Sequence, residues 1–181
     1  MQDKVLAGFL QRQFEAGMQL AKQSDLLELT PLGLTPPHMY LAKFSCNGLV
    51  RLDNGTISEA NKFVVGIRFP RDYLRSVDPL LPFQMLTWFE PLEIWHPNIS
   101  NELPIVCVGR LTPGTELVYI LYQLFEIITY NKVTMVESDA LNREACAWAR
   151  RNQNRFPVDT RPLKRRGLDL TLKGFHDPEE P

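Results

Sequence analysis

The chain has 181 residues, 44% of them hydrophobic and 23% charged, with a formal net charge of −1. That length suits one domain with a self-sufficient core, and the near-neutral balance gives no overall field to draw in nucleic acid or an anionic membrane. Three cysteines, Cys46, Cys107 and Cys146, occur without a CxxC or a Cys/His ligand spacing, which argues against a structural zinc site and a disulfide framework and predicts free thiols in a cytoplasmic setting.

Residues 5–22 read as an amphipathic helix, with Leu6, Leu10, Phe14 and Met18 at spacings of four, Val5 and Phe9 beside them, and Gln11, Arg12, Glu15 and Gln19 on the polar side. The same stretch lacks the unbroken apolar core of a signal peptide, so none is expected. A short strand at residues 26–29 follows. "MYLAKFSC", residues 39–46, places Tyr40, Ala42, Phe44 and Cys46 on one face, which makes Cys46 a core thiol. "GLVRL" leads into Asp53-Asn54-Gly55, a turn signal, and "KFVVGIRF" sets Phe63, Val65, Ile67 and Phe69 on one face until Pro70 stops it. Past a Pro-bearing loop, residues 83–89 read as one more strand. A helix followed by an antiparallel meander of about four strands is α+β.

Thr112-Pro113-Gly114-Thr115-Glu116 has the cap residues and proline of a helix start, and residues 116–130 are apolar nearly all round, as a central buried helix would be. The longest apolar segment, "LVYILYQLFEIITY", is too short and too interrupted to span a bilayer. "ESDALNREACAWARRNQNRF" predicts a further helix with Asp139 as N-cap, Leu141, Ala145 and Trp148 on one side, and Cys146 packed. From Asp159 the chain is charged and punctuated by proline. Residues 1–158 are therefore read as the domain and residues 159–181 as a solvated or partly disordered tail, whose basic "RPLKRR" offers a contact for an acidic partner. His176, within it, is assigned no role.

"IWHPNISNELPIVCVG", residues 94–109, holds both His96 and Cys107. After Ile105 and Val106, Cys107 fits a buried strand thiol; near His-Pro-Asn, it fits a nucleophile, whose reactive form is the thiolate. Composition alone also leaves a cysteine–histidine protease pair open. No phosphate loop is visible.

The order of these segments resembles that of the E2 ubiquitin-conjugating enzymes and their UBC fold, over roughly residues 5–156. "FVVGIRFPRDY" is similar to the family's strand and Phe-Pro-x-Asp-Tyr segment, and "LPFQMLTWFEPLEIWHPNI" to its Pro-rich turn, strand and His-Pro-Asn motif. "IVCV" resembles the active-site cysteine segment, "TPGTELVYILYQLFEII" the central helix, and "ESDALNREACAWARRN" the helix after it. The chain departs from the family at several places. Cys107 lies one residue further from Asn98 than usual, Val108-Gly109-Arg110 replaces the usual flank, and the opening of the central helix is reduced to Thr112-Pro113. In these respects it is more similar to the divergent E2-like proteins of bacteria, found in operons with a ubiquitin-like protein and an E1-like enzyme, some of them serving antiphage defence.

The resemblance implies a carrier that takes a ubiquitin-like modifier from an E1-like activating enzyme as a Cys107 thioester and passes it to a lysine of a target protein. An E3 is a possible further partner. No cofactor and no metal are implied, since ATP-driven activation belongs to the E1. Asn98 would stabilise the oxyanion of aminolysis, or hold the loop that carries the cysteine, or both. His96 would orient the turn rather than act as a base. Asp139 matches the family's acidic gate position, though helix capping accounts for it as well. A protease pair is disfavoured by the UBC order of elements. The remaining alternative is a non-catalytic UBC-fold or RWD-like module that binds a modifier or a protein partner.

Overall fold

Asp3 starts the first helix, α1 (Lys4–Lys22): its carboxylate accepts hydrogen bonds from the backbone N–H groups of Val5 and Leu6, satisfying two of the free donors of the first turn. The structure is a computed structural model that describes residues 3–75 and 78–165. α1 buries Phe9, Leu10, Gln13, Gly17 and Leu20, while Leu6, Phe14 and Met18 pack only at its flanks. Phe9 and Leu10 of the expected apolar face are thus buried, whereas Val5 is exposed. At Gly17, a Cβ would come within 2.8 Å of Leu117 on one side and 3.0 Å of Leu29 on the other, so glycine permits the close approach.

The strands are β1 (Leu27–Leu32), β2 (Met39–Phe44), β3 (Gly48–Arg51), β4 (Ile57–Ala60) and β5 (Phe63–Arg68). A short helix, α2 (Leu81–Met85), precedes β6 (Leu86–Glu90). β1, β2, β5 and β6 form an antiparallel four-stranded sheet in that order, and β3 and β4 form a separate two-stranded hairpin inserted between β2 and β5. The fold is mixed α+β. Tyr40, Ala42, Phe44 and Cys46 all point into the core, as do Phe63, Val65, Ile67 and Phe69, so both alternating patterns place the expected faces inward. The strand expected over residues 83–89 begins only at Leu86. Pro82, in the first turn of α2, has no N–H to lose from a helix start, and the run up to Met85 turns helical.

α3 (Leu117–Ile128) buries Leu117, Ile120, Leu121, Leu124, Phe125, Ile127 and Ile128 and packs against α1, while Tyr119 stays exposed. Its own N-cap residue, Glu116, makes no side-chain cap bond. The buried Gln13 of α1 supplies one instead: its side-chain oxygen accepts from the Leu117 N–H at 2.8 Å. α4 (Arg143–Arg151) is capped by Asn142, whose carboxamide oxygen accepts from the Ala145 N–H at 2.9 Å. Asp139, expected as that N-cap, instead ends a 3₁₀ turn, Glu137–Asp139, ahead of the helix. The α4 face bearing Ala145 and Ala149 covers a second, smaller core with Leu49, Trp95 and Tyr130. Among the described residues, no helix is long and apolar enough to cross a membrane.

The segment expected to be a solvated tail is fixed to the body from Asp159 to Arg165. The Asp159 carboxylate accepts from the Asn47 N–H at 2.8 Å and from the Arg161 guanidinium at 2.6 and 3.0 Å. Leu163 enters the main core, and Arg165 donates to the carbonyl oxygens of Lys22 and Gln23. Arg166, the end of the basic cluster, and His176 lie outside the described residues.

Burial works to raise the pKa of Asp159, but the bonds from Arg161 and Asn47 outweigh it and hold the carboxyl at about 2. The native state therefore binds this proton less readily than the unfolded chain does. The group's contribution is full above the ordinary carboxylate pKa near 4 and drains away as pH falls to about 2. Asp159→Asn is expected to lower the unfolding free energy by about 1–2 kcal/mol at neutral pH. Urea titrations of the two proteins should converge as the buffer approaches the folded pKa; a gap that stayed constant down to that pH would contradict the assignment.

Candidate active site

Past β6 the chain is pinned to the hairpin: the Trp95 N–H donates to the Leu49 carbonyl at 2.8 Å, next to the bridge between Ile94 and Val50. This delivers His96-Pro97-Asn98 into the interior as a turn, closed by the Ile99 N–H on the His96 carbonyl at 3.2 Å. The His96 ring is fully buried, and its Nδ1 accepts from the Asn98 N–H at 3.0 Å. A ring nitrogen that accepts carries no proton, so the neutral ring holds its proton on Nε2. Burial drives the pKa down to about 3, against a weaker opposing pull from the Lys132 backbone. The ring lies edge-on to Tyr130 at 4.4 Å. Tyr130 adopts a left-handed backbone, φ 61°, and its hydroxyl donates to the Trp95 carbonyl. His96 is thereby a neutral buried brace under the turn, out of reach of solvent.

The chain leaves the turn through the polar loop of residues 100–104, in which Ser100 Oγ accepts from the Glu102 and Leu103 N–H groups, and returns beside itself at the bridge between Ile99 and Val106. Val106 and Val108 alternate inward into the main core, which turns Cys107 to the other side, half-buried. Cys107 and Asn98 face each other. The Cys107 N–H donates to the Asn98 carbonyl at 2.8 Å, and Asn98 Nδ2 donates to the Cys107 carbonyl at 3.1 Å.

The other end of the Asn98 carboxamide is also taken. Its Oδ1 accepts from the Thr134 N–H at 2.9 Å, and the Thr134 carbonyl in turn accepts from the Cys146 thiol at 3.3 Å. The loop between α3 and α4 is tied on further by the Leu141 and Asn142 N–H groups, both donating to the Pro97 carbonyl. Beyond the cysteine, Lys132 Nζ donates to the Val108 carbonyl at 2.6 Å and to the Gln123 side chain of α3. Gly109, at φ +92°, turns the chain away just after that contact. Two successive carbonyls, those of Cys107 and Val108, are therefore held by side-chain donors, Asn98 on the first and Lys132 on the second.

Asp139 is exposed on its 3₁₀ turn and accepts from Ser138 Oγ at 3.0 Å, while the neighbouring Glu137 pairs with Arg150. The structure thus brings Cys107 and Asn98 together with His96 behind them, and leaves Asp139 at the surface of a loop anchored to the same turn. Sequence reasoning missed Lys132, Thr134 and Tyr130. Thr134 contributes only its backbone and has no side-chain signature. Tyr130 acts through a left-handed conformation, and the lone Lys132 looks like any solvated charge.

The other two thiols are sealed. Cys46 is fully buried and is pushed up to about 12 by burial and then by Asp159. Cys146 is also buried and raised, again chiefly by burial. Neither supplies thiolate near neutral pH. Among the described residues, no cluster of three or more His, Cys, Asp or Glu side chains is placed to hold a metal ion. No family model matches the chain, and no curated protein matches it.

Proposed function

We propose that the chain is an E2-like acyl carrier with a UBC-type fold, in which Cys107 accepts a ubiquitin-like modifier from an E1-like enzyme and delivers it to an amine, in the cytoplasm. One observation carries the reading: of the three thiols, only Cys107 has a surface outside the core, and it is the one paired with Asn98 of His-Pro-Asn. In the loading step the Cys107 thiolate attacks the carbonyl of the E1-bound thioester. A new C–S bond forms and the E1 thiolate leaves. In the delivery step a lysine amine of the target attacks the same carbonyl. A C–N bond forms, the C–S bond to Cys107 breaks, and the amine's surplus proton passes to solvent or to an acidic side chain such as Asp139.

The oxyanion that develops during delivery needs a donor. Asn98 Nδ2, now on the carbonyl of Cys107 itself, is the nearest side-chain amide on the turn, and releasing or sharing that bond would aim it at the acyl oxygen. The same contact favours a second reading. Both ends of the Asn98 carboxamide are satisfied by backbone, as they would be in a non-catalytic UBC-fold or RWD-like binding module that only needs a rigid loop.

Incubating the chain with its cognate E1-like enzyme, the modifier and ATP, then resolving the products without reductant, parts the two readings. The carrier gives a band shifted by one modifier that collapses on adding thiol. With an E1 shown to be charged, the absence of any adduct would leave the module.

A further inference from the structure

A cavity of about 590 Å³ opens between the β3–β4 hairpin and α4. It is a groove open to solvent, and none of its side chains takes part in holding the Cys107 loop. Arg51, Arg151 and Arg155 line it, together with Glu144, Trp95 and Trp148. Exposed arginines are usually no more than solvated charges, but these are organised. The Arg51 guanidinium lies 5.0 Å from the centre of the Trp95 ring and is tied to Glu144 at 2.6 Å. The Arg155 guanidinium lies 5.2 Å from the centre of the Trp148 ring. Among the described residues, neither Arg151 nor Arg155 has a carboxylate partner. Three guanidinium groups against one carboxylate leave a local charge of about +2, which matches a phosphomonoester.

We propose that this groove binds a nucleoside monophosphate, its phosphate held by Arg151 and Arg155 and its base laid against the Arg51–Trp95 pair. An arginine drawn over an aromatic ring has lost some of its freedom already and offers a fork that fits phosphate oxygens. The volume exceeds what orthophosphate fills, and a guanidinium–indole pair beside the arginines suits a ring better than a bare ion. Single-stranded nucleic acid is disfavoured because the formal net charge of the chain is −1 and these arginines gather in one cavity rather than along a track.

The test is titration of the full chain with each of the four common ribonucleoside monophosphates, ribose 5-phosphate, orthophosphate and a short single-stranded RNA, read by indole fluorescence and thermal midpoint. At least one monophosphate should saturate and bind about tenfold or more tightly than ribose 5-phosphate. Arg151→Gln combined with Arg155→Gln should weaken it by at least about tenfold. Both residues are exposed, so the variant should keep its far-UV dichroism and its ligand-free midpoint, and the lysine pair at the same positions should retain part of the affinity. Any of four results overturns the proposal: no saturation by any monophosphate, ribose 5-phosphate binding as well as the nucleotides, RNA binding more tightly than every monophosphate, or undiminished affinity in the glutamine variant. None of these outcomes depends on whether Cys107 carries an acyl group.

Discussion

Cys107→Ala is expected to abolish the reductant-sensitive adduct with the modifier while leaving the fold in place. The side chain is half-buried and its peptide is held by backbone and by Asn98, not by the sulfur. Removing the sulfur should therefore cost stability within about 1 kcal/mol. Cys46→Ala and Cys146→Ala empty fully buried positions; they should lower the thermal midpoint but still form the adduct. Cys107→Ser should give either no adduct or an ester that survives thiol reductant, since the oxygen analogue is not cleaved by thiol exchange under those conditions. An adduct that persists unchanged in Cys107→Ala would place the acyl group elsewhere and end the carrier reading as stated.

Asn98→Ala should have two separable consequences. Structurally it strips the acceptor from the Thr134 N–H and the donor from the Cys107 carbonyl in one change, at a residue only 4% exposed. Leaving such groups unpaired should cost about 2–4 kcal/mol in chemical denaturation. Chemically, loading onto Cys107 should survive, whereas discharge to a lysine amine should slow by about 10²–10³-fold. Asn98→Asp helps to divide the two effects. It keeps an acceptor for Thr134 but turns a carboxylate oxygen on the Cys107 carbonyl, so it should restore none of the discharge rate. If discharge ran at the parent rate in folded Asn98→Ala, the amide would be a brace and nothing more.

The parts of the fold that were legible in the sequence are those decided by local alternation. The inward faces of β2 and β5, and with them Cys46 as a core thiol, follow from period-two patterning bounded by turn residues. Where tertiary contacts choose between local options, the reading slipped. "LPFQM" carries no clear period, and its proline and the packing of Leu81 and Met85 make it a helical turn before β6. Asp139 and Asn142 are both good caps. The choice fell to Asn142 where the Leu141 and Asn142 N–H groups dock on the Pro97 carbonyl, a contact the sequence does not display. Charge and proline made Asp159 to Arg165 look like tail; one salt-bridged carboxylate and one leucine, Leu163, hold it down. At the candidate site, the pairing of Cys107 with Asn98 was implied by the motif. Lys132 and Thr134 were hidden, because one acts back across α3 and the other through its backbone.

The bonds that join distant parts of this chain have a consequence for its synthesis. Gln13 caps a helix 104 positions later, Asp159 holds the Asn47 peptide across 112, and Arg165 closes onto Lys22 across 143. A nascent chain emerging from the ribosome would present α1 and most of the sheet long before any of these partners exists. Completion of the native state therefore waits on the emergence of Arg165, and until α3 follows the sheet its apolar face has no cover.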